Sequence, residues 1–364
     1  MAKKLAYDRV LFGTVALAVG FGLVMVYSAS AALARSDADG RPGFNPYVAK
    51  QVLAAGLGLA AMALAMHVDY RHLRRPAVIY ALVAGAVTLL VLVLYGPEIN
   101  ATHRWFRLGP VSVQPSELAK LALVPFVAYQ IEKKPDRVNQ PAVLAPVLVV
   151  TGVVVGLVLL QPDFGTSVLL LGSVLLVLFL AGLAWRFLVT GALVTLPLLF
   201  LLVLSEEYRR RRLFAFLNPE SDPLGAGYQP LQSLIAVGSG GLFGLGPGES
   251  IQKLNYLPHP HSDYVFAIAA EELGLLGALA VLALFAVILW RGARAGLRAP
   301  DLFGRYLAWG LTGTLVIQAL IHVSVCVALA PSKGIPLPFI SYGGSSLVVS
   351  MVACGVLLNV SEHG

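Results

Sequence analysis

Apolar runs long enough to cross a membrane recur from one end of this chain to the other, and nothing else in it limits the fold so tightly. A helix rising 1.5 Å per residue needs about 20 apolar residues to span hydrocarbon about 30 Å thick. Runs of that kind lie at 10–34, 47–66, 76–95, 113–130, 141–160, 166–184, 187–205, 265–290, 304–329 and 342–360. Charged residues make up only 12% of the chain, where soluble domains carry about 25%, so an ordinary water-soluble domain is excluded. The expected fold is an all-α polytopic membrane protein of about ten transmembrane helices, forming one integral domain over 1–364. The first run follows MAKKLAYDRVLFG and extends from Val10 to Ala34. A signal-peptide core has about 7–15 residues, so this run is read as an uncleaved first helix.

The short loops set the expected orientation. With the N-terminus inside, 14 of the 26 Lys and Arg residues fall on the cytoplasmic side, among them Lys3, Lys4, Arg9, Arg71, Lys133, Arg186 and Arg291. Of those left outside, Arg209 to Arg212 and Lys253 belong to a long loop, where the positive-inside rule is weak. Both termini are therefore expected in the cytoplasm. The net charge of +7 reads as topology and lipid-headgroup contact, with no nucleic acid implied. Cys326 and Cys354 sit in apolar segments and read as packing residues. No Cys/His cluster has metal-ligand spacing.

Two outer segments gather the polar residues, 95–112 and 206–264, the latter a large extracytoplasmic loop between the seventh and eighth helices. Its Gly-rich turns and apolar content point to short amphipathic helices folded onto the membrane surface. At its end, Asp263 immediately precedes a long apolar helix. It is either that helix's N-cap or a base or metal-facing carboxylate whose pKa low-dielectric surroundings raise. Glu117 and Lys120 are spaced i,i+3 on the fourth helix and can pair, as buried charges in a membrane must. Such a pair is either structural or a lining for an anionic headgroup. Glu271 and Glu272 are adjacent in an apolar helix, point about 100° apart, and so cannot share one partner; at least one must reach a cavity or a cation. Asp163 sits on a short outer loop where a helix break can line a cavity. Arg210 and Arg212, in the run of four arginines, suit a phosphate or diphosphate through the guanidinium fork, and Arg104 with Trp105 offers a second cation beside an aromatic face. Lys333 stands in a Pro-rich and Gly-rich turn before the last helix and adds another cation. Physical chemistry alone leaves three classes: an enzyme acting on a lipid-linked phosphorylated substrate, a flippase for such a lipid, or a scaffold.

Several stretches, taken together and in order, resemble one family, the shape, elongation, division and sporulation (SEDS) proteins of bacterial cell-wall synthesis. They are GLVMVYSAS at 22–30, Arg104-Trp105, QPSELAK at 114–120, Asp163-Phe164-Gly165, FLNPESDPLGAGYQ at 216–229, QSLIAVGSGGLFGLG at 232–246, LPHPHSDYVFA at 257–267, EELG at 271–274 and PLPFISYGGSS at 336–346. The resemblance implies a glycosyltransferase that polymerises lipid II, the undecaprenyl-diphosphate-linked disaccharide-pentapeptide, on the outer face of the bacterial cytoplasmic membrane. It implies a class B penicillin-binding protein (an FtsI-like transpeptidase) as partner, along with other membrane proteins of the division or elongation machinery. An older assignment for the family is lipid II flippase. By the same resemblance Asp263 matches an essential extracellular carboxylate, Glu117 and Lys120 a buried charged pair, and Arg210 and Arg212 basic residues ahead of FLNP. The FGLVMVYSAS start, SIQKLNYLPHPHSD at 250–263 and the PSKG turn resemble the division branch, FLNPESDPLGAGYQ and the GIPLPF run the elongation branch, and division is preferred. Before Asp263 the chain reads Pro258-His259-Pro260-His261-Ser262, where family members often carry an acidic residue and a Thr, which bears on metal dependence. A divalent cation, Mg2+ or Mn2+, at Asp263 is left open.

Overall fold

The computed structural model describes residues 7–37, 45–98, 102–109, 111–205 and 207–364. Lys3, Lys4, Arg41, residues 99–101 and 110 of the first outer segment, and the side chains of Arg35 and Arg209 lie outside the described set. Twelve α-helices run among the described residues: α1 (Arg9–Asp37), α2 (Pro46–His67), α3 (Pro76–Leu94), α4 (Pro115–Lys133), α5 (Pro141–Leu160), α6 (Phe164–Leu180), α7 (Trp185–Leu204), α8 (Glu207–Leu217), α9 (Tyr228–Ser239), α10 (Val265–Arg298), α11 (Leu302–Cys326) and α12 (Gly344–Glu362). Each of the ten apolar runs coincides with one of these helices, α1 to α7 and α10 to α12. Proline opens α2, α3, α4 and α5, where its missing N–H is harmless and its fixed φ favours the first turn.

Seven helices, α1, α2, α3, α5, α10, α11 and α12, are long and apolar enough by themselves to cross a membrane. α4 is more polar, and its position explains why: 14 of its 19 residues are buried inside the bundle, so protein surrounds its charges. α4 packs against both α3 and α11, and α2 packs along α12. Buried amides fasten that last pair at both ends. Gln51 donates to the Ser341 carbonyl at 3.1 Å and accepts from the Gly343 N–H at 3.2 Å. Asn359 accepts from the Tyr70 N–H at 2.8 Å and donates to the Met66 carbonyl at 2.7 Å.

Three details differ from the sequence-based expectation. Trp185 and Arg186 begin α7 and are not a turn, because the chain reverses at 181–184. α10 continues to Arg298 and is broken by Gly274, whose φ of 68° is left-handed. The first outer segment holds a two-stranded antiparallel hairpin, β1 (Phe106–Leu108) and β2 (Val111–Val113), with Phe106 opposite Val113. The long segment between α7 and α10 contains the two short helices α8 and α9, as its composition suggested.

Asp8 and the C-terminal residues share one end of the bundle. The Asp8 N–H donates to Ser361, Asp8 pairs with Arg291 at 2.6 Å, and His363 lies against Tyr70. The polar segments gather at the opposite end, around the start of α10 and the approach to α12.

Candidate active site

Asp263 closes a turn, its N–H donating to the His259 carbonyl at 3.1 Å. Tyr264, not Asp263, occupies the N-cap position of α10, and no side chain caps that helix. The cap reading therefore fails, and the carboxylate is left for other work. Asp263 is partly accessible. Burial raises its pKa above the ordinary carboxylate range, opposed by the nearby His259, the Ser262 hydroxyl and Arg212. His261 is buried and pushed down to about 4 by burial and His259, so it is neutral at working pH. Its ring packs between Tyr47 and Tyr342, with centroids 4.8 and 5.2 Å away, which fixes the turn against α2 and α12.

Arg212 stands near the carboxylate, and Lys333, one residue before the Gly334 that adjoins it, interacts with Asp163 and Arg212. Arg212, on α8, donates to the Ser332 carbonyl at 3.1 Å. Lys333 lies with its ammonium 3.9 Å from the centre of the Phe164 ring, a cation–π contact. Burial lowers its pKa to about 8, with Asp163 favouring and Arg212 opposing its charge. Between them Gly334 is exposed and adjoins Asp263: a Cβ there would stand 3.2 Å from Oδ2. Arg210 is exposed on α8, and Arg211 makes a solvent-facing pair with Glu207.

Asp163 caps α6. It accepts from the Thr166 N–H at 3.1 Å and hydroxyl at 2.9 Å and from Gln114 at 3.1 Å. Arg104 donates to the carbonyls of Gln161 and Pro162, both at 2.6 Å, so its fork braces the turn that presents Asp163. Trp105 is half-buried beside it. Glu117 and Lys120 form a buried ion pair at 2.6 Å, and Lys120 also donates to Gln318 at 2.7 Å.

Glu271 and Glu272 separate as their geometry requires. Glu272 meets the ammonium of Lys253 at 2.8 Å and accepts from Ser28 at 2.5 Å and the Gly248 N–H at 3.0 Å. Glu271 accepts from Ser250 at 2.5 Å and the Ile251 N–H at 3.1 Å. Together they hold the Gly-rich segment 240–253 to the broken turn of α10. Lys253 escaped sequence reasoning, as did Gln318, His322 and Ser341. The one available signal was that a buried Glu pair demands a cation from somewhere.

No three His, Cys, Asp or Glu side chains converge to hold a metal among the described residues. A divalent ion at Asp263 would take most of its ligands from phosphate oxygens and water, as Mg2+ commonly does. Cys326 and Cys354 are both free and buried.

Residues 8–364 match the profile of the FtsW, RodA and SpoVE family, described as cell cycle proteins. The probable peptidoglycan glycosyltransferase FtsW of Geobacter metallireducens is 42% identical over 98% of this chain and 95% of its own. Stage V sporulation protein E of Bacillus subtilis is 41% identical over 99% of this chain and 98% of its own. Among solved structures, a chain of a peptidoglycan synthase complex that coordinates polymerisation and crosslinking superposes with a TM-score of 0.81 at 35% identity, covering 98% of both chains. The rod shape determining protein RodA of Thermus thermophilus gives 0.71 at 34% identity, covering 98% of this chain and 97% of that one.

Proposed function

The chain belongs to the FtsW, RodA and SpoVE family of cell cycle proteins, and on that footing we propose that it is a peptidoglycan glycosyltransferase polymerising lipid II for the division septum. The observation that carries this reading is the setting of Asp263: a partly accessible carboxylate with a raised pKa, released from helix capping, with Arg212 nearby and Gly334, the neighbour of Lys333, against it. The end of the bundle that holds it lies opposite both termini and would face outward.

An acceptor hydroxyl is a poor nucleophile, so a base must take its proton as it attacks the anomeric carbon. Asp263 is that base, and its raised pKa brings it closer to the working pH. The leaving diphosphate needs its growing charge balanced rather than a proton, and Arg212 and Lys333 supply positive charge there. Arg210 stands on the same helix as Arg212 and can meet the substrate only from the exposed side. A single in-line displacement converts the α-linked donor to a β-linked product. A class B penicillin-binding protein would cross-link the strands, a pairing supported by the likeness to a synthase complex. The division role is favoured by the relatives named FtsW, with cell elongation the alternative.

Purified lipid II, with and without a co-purified class B penicillin-binding protein, tests the proposal. Wild type should form glycan chains, and Asp263→Asn should lose about 10²–10⁴-fold in rate while still binding lipid II. Equal polymerisation by both would remove Asp263 as the base. Transfer of lipid II across vesicles without polymer would instead indicate a flippase.

A further inference from the structure

Residues 332–337 cross the site as an irregular strap between α11 and α12, and neighbours grip it almost residue by residue. Arg212 holds the Ser332 carbonyl, Phe164 faces the Lys333 ammonium, and Gly334 adjoins the Asp263 carboxylate. The next two carbonyls go to a single face of α11. His322 Nδ1 donates to Ile335 O and Gln318 Nε2 donates to Pro336 O, each at 2.8 Å. A carbonyl only accepts, so Nδ1 of His322 carries the proton. Gln318 and His322 are four residues apart and lie one above the other on the helix. On its other side, Gln318 Oε1 accepts from Lys120 Nζ at 2.7 Å, and Lys120 is paired with Glu117 at 2.6 Å. Past the prolines, Ser341 Oγ accepts from the Leu337 N–H at 2.8 Å and donates to the Ser262 carbonyl at 2.7 Å, which returns the path to the residue before Asp263.

Gln318 and His322 are 0% and 1% exposed, and Lys120 is 4% exposed. None of the three can meet a bulky headgroup without the bundle opening. We propose that Gln318 and His322 are positioning residues, holding the strap so that Gly334 keeps its place against Asp263 and Lys333 its place over Phe164, and that the Glu117–Lys120 pair acts on the site through Gln318 and not by touching the substrate. The proposal rests on the polymerase reading above. Lys120 fixes the orientation of the Gln318 amide, because an ammonium only donates and so holds Oε1 toward itself. Nε2 is thereby turned to the strap. A change at Lys120 is then felt at Asp263 as a displaced strap.

The test uses the full chain with its co-purified class B partner, and variants that remain monodisperse. His322→Leu removes the donor to Ile335. His322→Asn places an amide nitrogen where Nδ1 stood. Gln318→Glu keeps an acceptor for Lys120 and loses the donor to Pro336. His322→Leu and Gln318→Glu should each lower kcat about ten- to a hundredfold, with KM for lipid II changed less than about threefold, since misplacement by about 1 Å is worth that much in rate. His322→Asn should restore most of the loss. Lys120→Met should lower kcat at unchanged KM. Hydrogen–deuterium exchange supplies a readout independent of the reaction: amides of 332–337 should exchange faster in His322→Leu and Gln318→Glu and stay at the wild-type rate in His322→Asn. Wild-type kcat and exchange in His322→Leu, or no rescue by His322→Asn, would overturn the positioning role. A rise in KM alone in Lys120→Met would overturn the indirect role of the ion pair. Wild type inert toward lipid II would remove the polymerase reading, and the exchange rates would still decide whether α11 holds the strap.

Discussion

Burial shifts the two ionisable groups at the mouth of the site in opposite senses, because it disfavours charge on each. It raises the Asp263 carboxyl and lowers the Lys333 ammonium to about 8. Proton removal from the acceptor needs Asp263 ionised, so activity rises as pH passes upward through its raised pKa. Holding the diphosphate needs Lys333 protonated, so activity falls as pH passes about 8. The kcat/KM profile reports groups of the free enzyme and should be a bell with its alkaline limb near that value. The groups facing Lys333 are Asp163, Arg212 and the Phe164 ring. Lys333→Arg, whose guanidinium stays charged, should therefore keep the acid limb and lose the alkaline one. An unchanged alkaline limb in Lys333→Arg would assign that titration elsewhere.

At the scale of elements, α10 is the helix whose geometry most depends on its sequence. Gly274 adopts φ 68°, and a Cβ there would come within 2.4 Å of the Gly244 nitrogen and 2.5 Å of the Leu242 carbonyl oxygen. Gly274→Ala should destabilise the fold by at least about 1–2 kcal/mol from the left-handed conformation alone, seen as a lower unfolding midpoint in detergent. Lys253→Met strands the Glu272 carboxylate, whose ion pair is 6% and 2% exposed. Breaking a buried pair from one side is worth about 3–5 kcal/mol. Replacing both partners, as in Lys253→Met with Glu272→Leu, should recover much of that loss, and no recovery would show that the pair does more than neutralise itself. These two sites mark the limits of what the sequence discloses. The helices α1 to α7 and α10 to α12 were legible as apolar runs, seven of them long and apolar enough on their own to cross a membrane. Asp263, Arg212 and Lys333 were legible as polar residues in apolar surroundings, and in the structure Arg212 acts on both of the others. The need of Glu271 and Glu272 for a partner was legible, but Lys253 was not, because it stands 19 positions before Glu272, across the Pro258–His261 turn, and no periodicity links them. The hairpin at Phe106–Leu108 and Val111–Val113 has strands too short to show alternation. Gln318 and His322 are single polar residues in an apolar helix whose partners on the strap are backbone carbonyls, which a sequence does not display.

At the scale of the whole molecule, the bundle is asymmetric from end to end. The end that joins both termini also carries Arg71, Arg74, Lys133, Arg291 and Arg298, the excess expected of cytoplasmic loops. The other end carries Asp263 and the strap. An even number of crossings would place both termini on one side, in keeping with the contact of Asp8 with Ser361. A polymerase that builds wall outside the membrane must present Asp263 outward, so orientation and function stand or fall together. The two native cysteines are buried and give little background for labelling from water. Ser221→Cys, exposed between α8 and α9, should react with an impermeant maleimide in intact spheroplasts. His72→Cys, exposed between α2 and α3, should react only after the membrane is permeabilised. The reverse pattern would put the strap and Asp263 in the cytoplasm, where lipid-linked disaccharide is made rather than polymerised, and the glycosyltransferase reading would have to be abandoned for a reaction on the inner leaflet.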